Sequence, residues 1–180
     1  MMSLYVAVIF IVEVFLFAVI AVVGYFLFNG LLFVPWVSTS RELTGEMLRL
    51  AEVKPGDMVV DFGSGDGAIV IEAAKSFGAK GYGIERLSLL VWWSRWLAKR
   101  AGVSHKVKFE GGDMFTKTPP PADVITSYLF PEINKKLEPI LLKHYASGTR
   151  VVARVFSFPG LKHIKSQNVG SDTIHLYEIP

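Results

Sequence analysis

Residues 59–70, VVDFGSGDGAIV, set Asp61, Gly63, Ser64, Gly65, Asp66 and Gly67 between an apolar run and a helix-like stretch. Glycines at this spacing let a chain turn tightly, bring backbone N–H groups against a ligand and aim a helix N-terminus at it. Read as Gly63, Gly65 and Ala68, the stretch satisfies the G-x-G-x-x-G/A dinucleotide fingerprint. Read as Asp61, Gly63, Gly65 and Gly67, it suits S-adenosylmethionine (SAM) equally well. The pattern alone does not choose. The acids lean one way, because Asp61 and Asp66 repel a pyrophosphate but attract the ammonium of the methionine portion of SAM.

Glu85 lies eighteen residues after Gly67, the distance at which an acid accepts two hydrogen bonds from ribose hydroxyls. Both ligand classes need that acid, so it discriminates nothing; Arg86 beside it is counted with the cofactor set. Asp113-Met114 ends a third apolar run. There an acid can accept the adenine amino hydrogen while the methionine covers the ring, an arrangement expected for SAM and foreign to the dinucleotide fingerprint. Asp113 equally suits a turn cap.

A fourth run ends in TSYLFPE. Tyr128, Phe130 and Glu132 form the candidate catalytic set, lining an acceptor pocket. Aromatics at a strand end are core residues at least as often. An enzyme methylating a planar base would place Asp or Asn, two prolines and an aromatic here, which Ser127-Tyr128-Leu129-Phe130 does not. With no cysteine in the chain, disulfides, thiolate metal sites and cysteine nucleophiles are excluded. The four His and scattered acids show no metal-ligand spacing, so no metal is expected.

The elements that position these groups alternate. Residues 38–53 read as an amphipathic helix, with Leu43, Met47, Leu50 and Ala51 on one face, before a Lys54-Pro55-Gly56-Asp57 turn. Strands follow at 58–62, 80–85, 106–112, 122–130 and 149–156, with helices at 68–77, 88–101 and 131–145. Such alternation predicts an α/β fold: a doubly wound, Rossmann-like, mostly parallel sheet covered on both faces. Residues 162–169 and 173–179 are expected to add an antiparallel hairpin at its edge, giving seven strands. Leu89, Trp92, Trp93 and Trp96 share one helical face, expected to pack on the sheet; the alternative places a Trp at a membrane interface beside Arg95, Lys99 and Arg100.

The mean hydropathy of +0.40 comes largely from the first 35 positions. Residues 4–28 hold one charge, Glu13, and as a helix span about 38 Å, more than the roughly 30 Å hydrocarbon core. They are expected to form a single transmembrane anchor, stopped at Asn29-Gly30, with Trp36 at headgroup level. Glu13, an acid in the span, reads as partner-helix recognition or as a snorkelling side chain. All 19 Lys and Arg follow the span, so the positive-inside rule puts the N-terminus outside and the remainder in the cytoplasm. The expected division is an anchor over 1–35 and one catalytic domain over 36–180. The mild basic excess suits an anionic membrane surface or an acidic partner and does not argue for nucleic acid.

From Trp36 onward the chain resembles the membrane-anchored ATP synthase c-subunit lysine methyltransferase family and the small archaeal broad-specificity protein-lysine methyltransferases. WVSTSRELTGEMLRLAEV, VVDFGSGDGAIVIEAAK, YGIERLSLLVWWSRWLAK and ARVFSFP carry the resemblance. Ser38 and Ser40 stand where that group has prolines, and Ala68 where it usually has Arg. The resemblance implies a seven-strand SAM-dependent fold, with cofactor roles for Asp61, Gly63, Gly65, Gly67, Glu85 and Asp113 and with Thr39 near the methionine end. It implies methyl transfer to a protein lysine, by analogy on a rotary ATPase c-subunit, releasing S-adenosylhomocysteine. A lipid or quinone methyltransferase, or a SAM-binding regulator without activity, are the alternatives.

Overall fold

The structure, a computed structural model, describes residues 2–32 and 39–180. The chain divides into two units, Met1–Trp36 and Val37–Pro180. The first contains one helix, α1 (Met2–Leu32). Within it, Tyr5–Tyr25 is long and apolar enough to cross a membrane by length and composition, and none of it is buried in protein. The helix does not stop at Asn29-Gly30 as expected but continues to Leu32. One glycine costs a helix only about 1 kcal/mol relative to alanine, which a long helix absorbs. Trp36 lies outside the described residues.

The second unit opens with α2 (Arg41–Leu50). Ser40 caps it, its hydroxyl accepting the Leu43 N–H at 3.3 Å; a proline at that position would offer no such oxygen. Then come β1 (Met58–Phe62), α3 (Ala68–Ser76), β2 (Lys80–Glu85), α4 (Ser88–Arg100), β3 (Val107–Gly111), β4 (Val124–Ser127), α5 (Pro131–His144), β5 (Arg150–Arg154), β6 (Lys162–Val169) and β7 (Asp172–Glu178). The sheet order is β3-β2-β1-β4-β5-β7-β6. β1 to β5 run parallel, and β7 lies antiparallel between β5 and β6. The expected seven-strand sheet with a terminal hairpin is what forms.

Alternation along β1 divides the core. Val59 joins α2 and α3 residues such as Met47 and Ile69, whereas Val60 and Phe62 join Leu137 and Leu141 of α5. Each fully buried side chain of this size contributes roughly 1.5–3 kcal/mol of transfer free energy. Helices pack on both faces, as expected. No helix joins β3 to β4, and β3 answers with polar residues on that side: Glu110 receives the Tyr82 hydroxyl and pairs with Lys117 at 2.7 Å and Lys108 at 3.3 Å. β6 is exposed along most of its length, with Lys162 and Lys165 along an edge they protect from pairing with another chain.

The tryptophan helix is the larger departure. α4 buries Leu90, Val91, Ser94 and Ala98, half a turn away from Leu89, Trp92, Trp93 and Trp96, which are 38, 61, 39 and 37 % exposed. The reason is steric. The helix lies against the glycine turn, and a Cβ on Gly67 would stand 3.0 Å from that of Ser94. At that point of the face only a small side chain fits, and the rings lie on the opposite face.

Candidate active site

β1 has β2 on one side and β4 on the other, so the chain leaves these strands in opposite directions. That reversal opens a crevice beyond the strands' carboxyl ends, where ligands of open α/β sheets bind. β1 delivers the glycine turn to this point. Gly63 and Gly67 have φ of +79° and +80°, conformations that side chains disfavour. A Cβ at Gly63 would lie 2.9 Å from the Leu129 side chain, and one at Gly67 would lie 2.5 Å from the Phe109 ring.

The turn is tied to β2. The N–H groups of Gly63 and Ser64 both reach the Ile84 carbonyl, at 2.9 and 2.8 Å. Gly65 N–H donates to Glu85 Oε2 at 2.9 Å, while Leu87 N–H donates to Glu85 Oε1 at 2.8 Å. Glu85 is therefore fixed by two backbone donors and keeps further lone pairs for hydroxyls. Asp66 Oδ1 accepts the Ala68 N–H at 3.3 Å at the start of α3, where a negative charge is favoured. Ser64 lies within the turn. Its N–H is taken by the Ile84 carbonyl, and its hydroxyl is buried beneath the turn, against Gly83, with no hydrogen-bond partner.

Asp61 is buried, at 4 % exposure. Its Oδ1 accepts the Thr126 hydroxyl of β4 at 2.7 Å. Burial pushes its carboxyl up to about 7, the Thr126 hydrogen bond opposes the shift, and the charges of Glu85 and Asp66 add to it. One hydroxyl does not compensate a buried carboxylate, so the position favours an incoming cation. On the neighbouring loop, Met114 approaches Gly63, its methyl 3.7 Å from where a Cβ would stand. Asp113 is exposed, and its Oδ1 accepts the Phe115 N–H at 2.9 Å, which is the turn-cap role. Arg86 is exposed beside Glu85.

At the β4 end the half-buried Tyr128 lies under Arg154, whose guanidinium carbon is 4.0 Å from the ring centroid. Arg154 also pairs with Asp172 at 2.7 Å and donates to the Thr39 hydroxyl at 3.4 Å. Thr39, Tyr128, Arg154 and Asp172 thus form one cluster. Phe130 packs on Phe156 at 5.7 Å between centroids. Asn134 of α5 accepts the Ser127 hydroxyl and donates to the Phe156 carbonyl, joining the ends of β4 and β5. Glu132 is a correction: its side chain is 77 % exposed and pairs with Lys135 one helical turn on. That carboxylate is in water and does not face the Tyr128 cluster.

The chain matches the family model described as the ANTKMT methyltransferase domain over residues 61–165. The chain belongs to that methyltransferase family. This methyltransferase is 33 % identical over 151 residues to a protein named protein-lysine N-methyltransferase from Saccharolobus islandicus, covering 81 % of this chain and 94 % of that one. It is 35 % identical over 146 residues to the lysine N-methyltransferase of the ATP synthase c-subunit from Mus musculus, covering 81 % of this chain but 58 % of the mouse protein. A solved structure titled as an RNA methyltransferase from Salinibacter ruber in complex with S-adenosyl-L-homocysteine superposes with a TM-score of 0.78 at 41 % identity, covering 80 % of this chain and 94 % of that one.

Thr126, Asn134, Arg154, Phe156 and Asp172 of the methyltransferase's site were not singled out from the sequence. Thr126 and Asn134 carry no motif. Arg154 lies in ARVFSFP, a segment noted for its resemblance, but its partners Tyr128, Asp172 and Thr39 come from distant positions that spacing does not reveal.

Proposed function

We propose that this chain transfers the methyl group of SAM to the side-chain amine of a lysine in a membrane protein, by the family's example a rotary ATPase c-subunit. The observation that carries the cofactor assignment is Asp61: a buried, under-compensated carboxylate at the glycine turn suits an ammonium and repels a pyrophosphate. When bound, SAM supplies a methyl on a sulfonium centre whose departing thioether is neutral. Asp61 receives the ammonium, Glu85 the ribose hydroxyls, Met114 the adenine face and Asp113 Oδ2 its amino hydrogen, with Gly65 and Gly67 letting the backbone approach.

The protein's remaining task is positioning, since no covalent enzyme intermediate is required. The Phe130 and Phe156 rings flank the lysine alkyl chain, and Tyr128, held by Arg154, orients the amine through its hydroxyl. Arg154 brings no net charge to the acceptor because Asp172 neutralises it. A lysine must lose its proton to become nucleophilic. Desolvation and a nearby cation both lower its pKa, so a strong base is unnecessary, in keeping with Glu132 lying in solvent.

Residues 1–35 act as the anchor and 36–180 as the catalytic domain, on the cytoplasmic side with the N-terminus outside. The relatives named for protein-lysine methylation support the acceptor class; the Salinibacter structure, titled for RNA, supports a nucleic-acid acceptor instead. The SYLF sequence at the β4 end, without the prolines of base-methylating sites, favours lysine. Labelled SAM incubated with native membranes and the full chain decides. Label in a protein band that disappears on c-subunit depletion supports the reading. Label in RNA or in the lipid extract overturns it, and SAM binding without transfer leaves a regulator. Because the chain has no cysteine, single cysteines placed at Ser3 and Ser104 report sidedness with an impermeant thiol reagent.

A further inference from the structure

The outward face of α4 is unlike any other surface of the second unit. Leu89, Trp92, Trp93 and Trp96 are exposed. The Trp93 and Trp96 rings stack at 4.6 Å and Trp92 lies 6.3 Å from Trp93, so the three form one apolar ridge. Arg100 lies 4.9 Å over the Trp96 ring, Lys99 is exposed next to it, and α4 contains no acid. Water-facing tryptophans are costly, since each ring exposes a large apolar area. Tryptophan with Lys and Arg, free of acids, is the composition of helices that lie in a membrane interface.

The chain length supplies a second argument. Between Leu32, the last residue of α1, and Arg41, the first of α2, there are only residues 33–40. Eight residues reach at most about 28 Å. The tether rests on the proposed reading of Tyr5–Tyr25, which is long and apolar enough to cross a membrane, as the anchor: α4 then belongs to a unit held to the bilayer by this short segment.

We propose that the Trp92, Trp93 and Trp96 ridge is a docking surface for the bilayer interface, inserting at headgroup level while Lys99 and Arg100 engage anionic lipid phosphates. It gives the catalytic unit a second attachment, limiting rotation about its tether, and does not depend on which acceptor is methylated. A nucleic acid fits the ridge less well. Bases stack on open ring faces, and Trp96 already spends its ring on Trp93 and Arg100.

The test uses the full chain with Trp36→Phe, so that only α4 fluoresces, reconstituted in phosphatidylcholine vesicles with and without phosphatidylglycerol. Lipids brominated near the glycerol backbone are expected to quench the emission, more strongly with phosphatidylglycerol, and Lys99→Gln with Arg100→Gln is expected to remove that increment while circular dichroism stays unchanged. Emission quenched by aqueous iodide and untouched by brominated lipid overturns the proposal. So does emission shielded from both in proportion to protein density, which assigns the ridge to a second copy, or quenching by single-stranded RNA alone, which assigns it to nucleic acid.

Discussion

The cofactor end of the crevice, at β1 and β2, and the acceptor end, at β4 and β5, are built differently. At the first, the working groups are backbone N–H groups of one glycine turn and two carboxylates, Glu85 fixed by the N–H groups of Gly65 and Leu87 and Asp61 by the Thr126 hydroxyl of β4. At the second, side chains from distant parts of the chain converge, with Arg154 joining Tyr128, Asp172 and Thr39. A cofactor of fixed chemistry can be met by a local motif. An acceptor pocket is assembled by the fold.

The contrast can be broken by substitution, and the largest effect belongs to Asp61. Asp61→Asn removes the charge that meets the ammonium, and SAM affinity is expected to fall about 100-fold by calorimetry. The unliganded protein does not weaken, because a buried charge has gone; unchanged affinity would remove Asp61 from the cofactor end. Gly67→Ala places a methyl against Phe109 at a positive φ, so a loss of about 1–3 kcal/mol in stability is expected, read as a lower Tm. At the acceptor end, Tyr128→Ala is expected to raise KM for the protein acceptor about fivefold through the lost contact with Arg154, leaving SAM affinity as it was. A matching loss of SAM affinity would mean that the two ends are not separable. Smallest of all, Glu132→Gln is expected to alter kcat less than about twofold, as for any exposed ion pair.

The same division explains what could be read in the sequence. β1, the glycine turn and β2 are legible because apolar runs and glycine spacing act over a few residues, and Glu85 is found by counting from the turn. The tryptophans mislead because helical spacing reports which residues share a face and not whether that face is buried; the close approach of Ser94 to Gly67 decides that. Glu132 misleads for a related reason. It follows β4 closely in sequence, but the first turn of α5 carries it into solvent, while Arg154, 26 positions after Tyr128, covers the ring. Ser64 shares the motif's letters, but its N–H goes to the Ile84 carbonyl and its hydroxyl is buried against Gly83 with no hydrogen-bond partner, which spacing does not reveal.

Asp61 also makes the cofactor end sensitive to pH. With its carboxyl raised to about 7 in the folded protein from 3.8, the native state binds more protons than the unfolded state between those values. Its contribution to stability is therefore full below the lower value and declines as pH rises toward and through 7. Ligand binding runs the other way, because the ammonium needs the ionised carboxylate. The most direct measurement is SAM binding by calorimetry at pH 6.0 and pH 7.5, with Asp61→Asn in parallel. An affinity about eightfold weaker at pH 6.0 is expected for the natural chain, from one proton taken up near pH 7, and a flat profile for the variant. Equal affinities at both pH values in the natural chain, or the same slope in the variant, would contradict the assignment of Asp61 to the cofactor's ammonium.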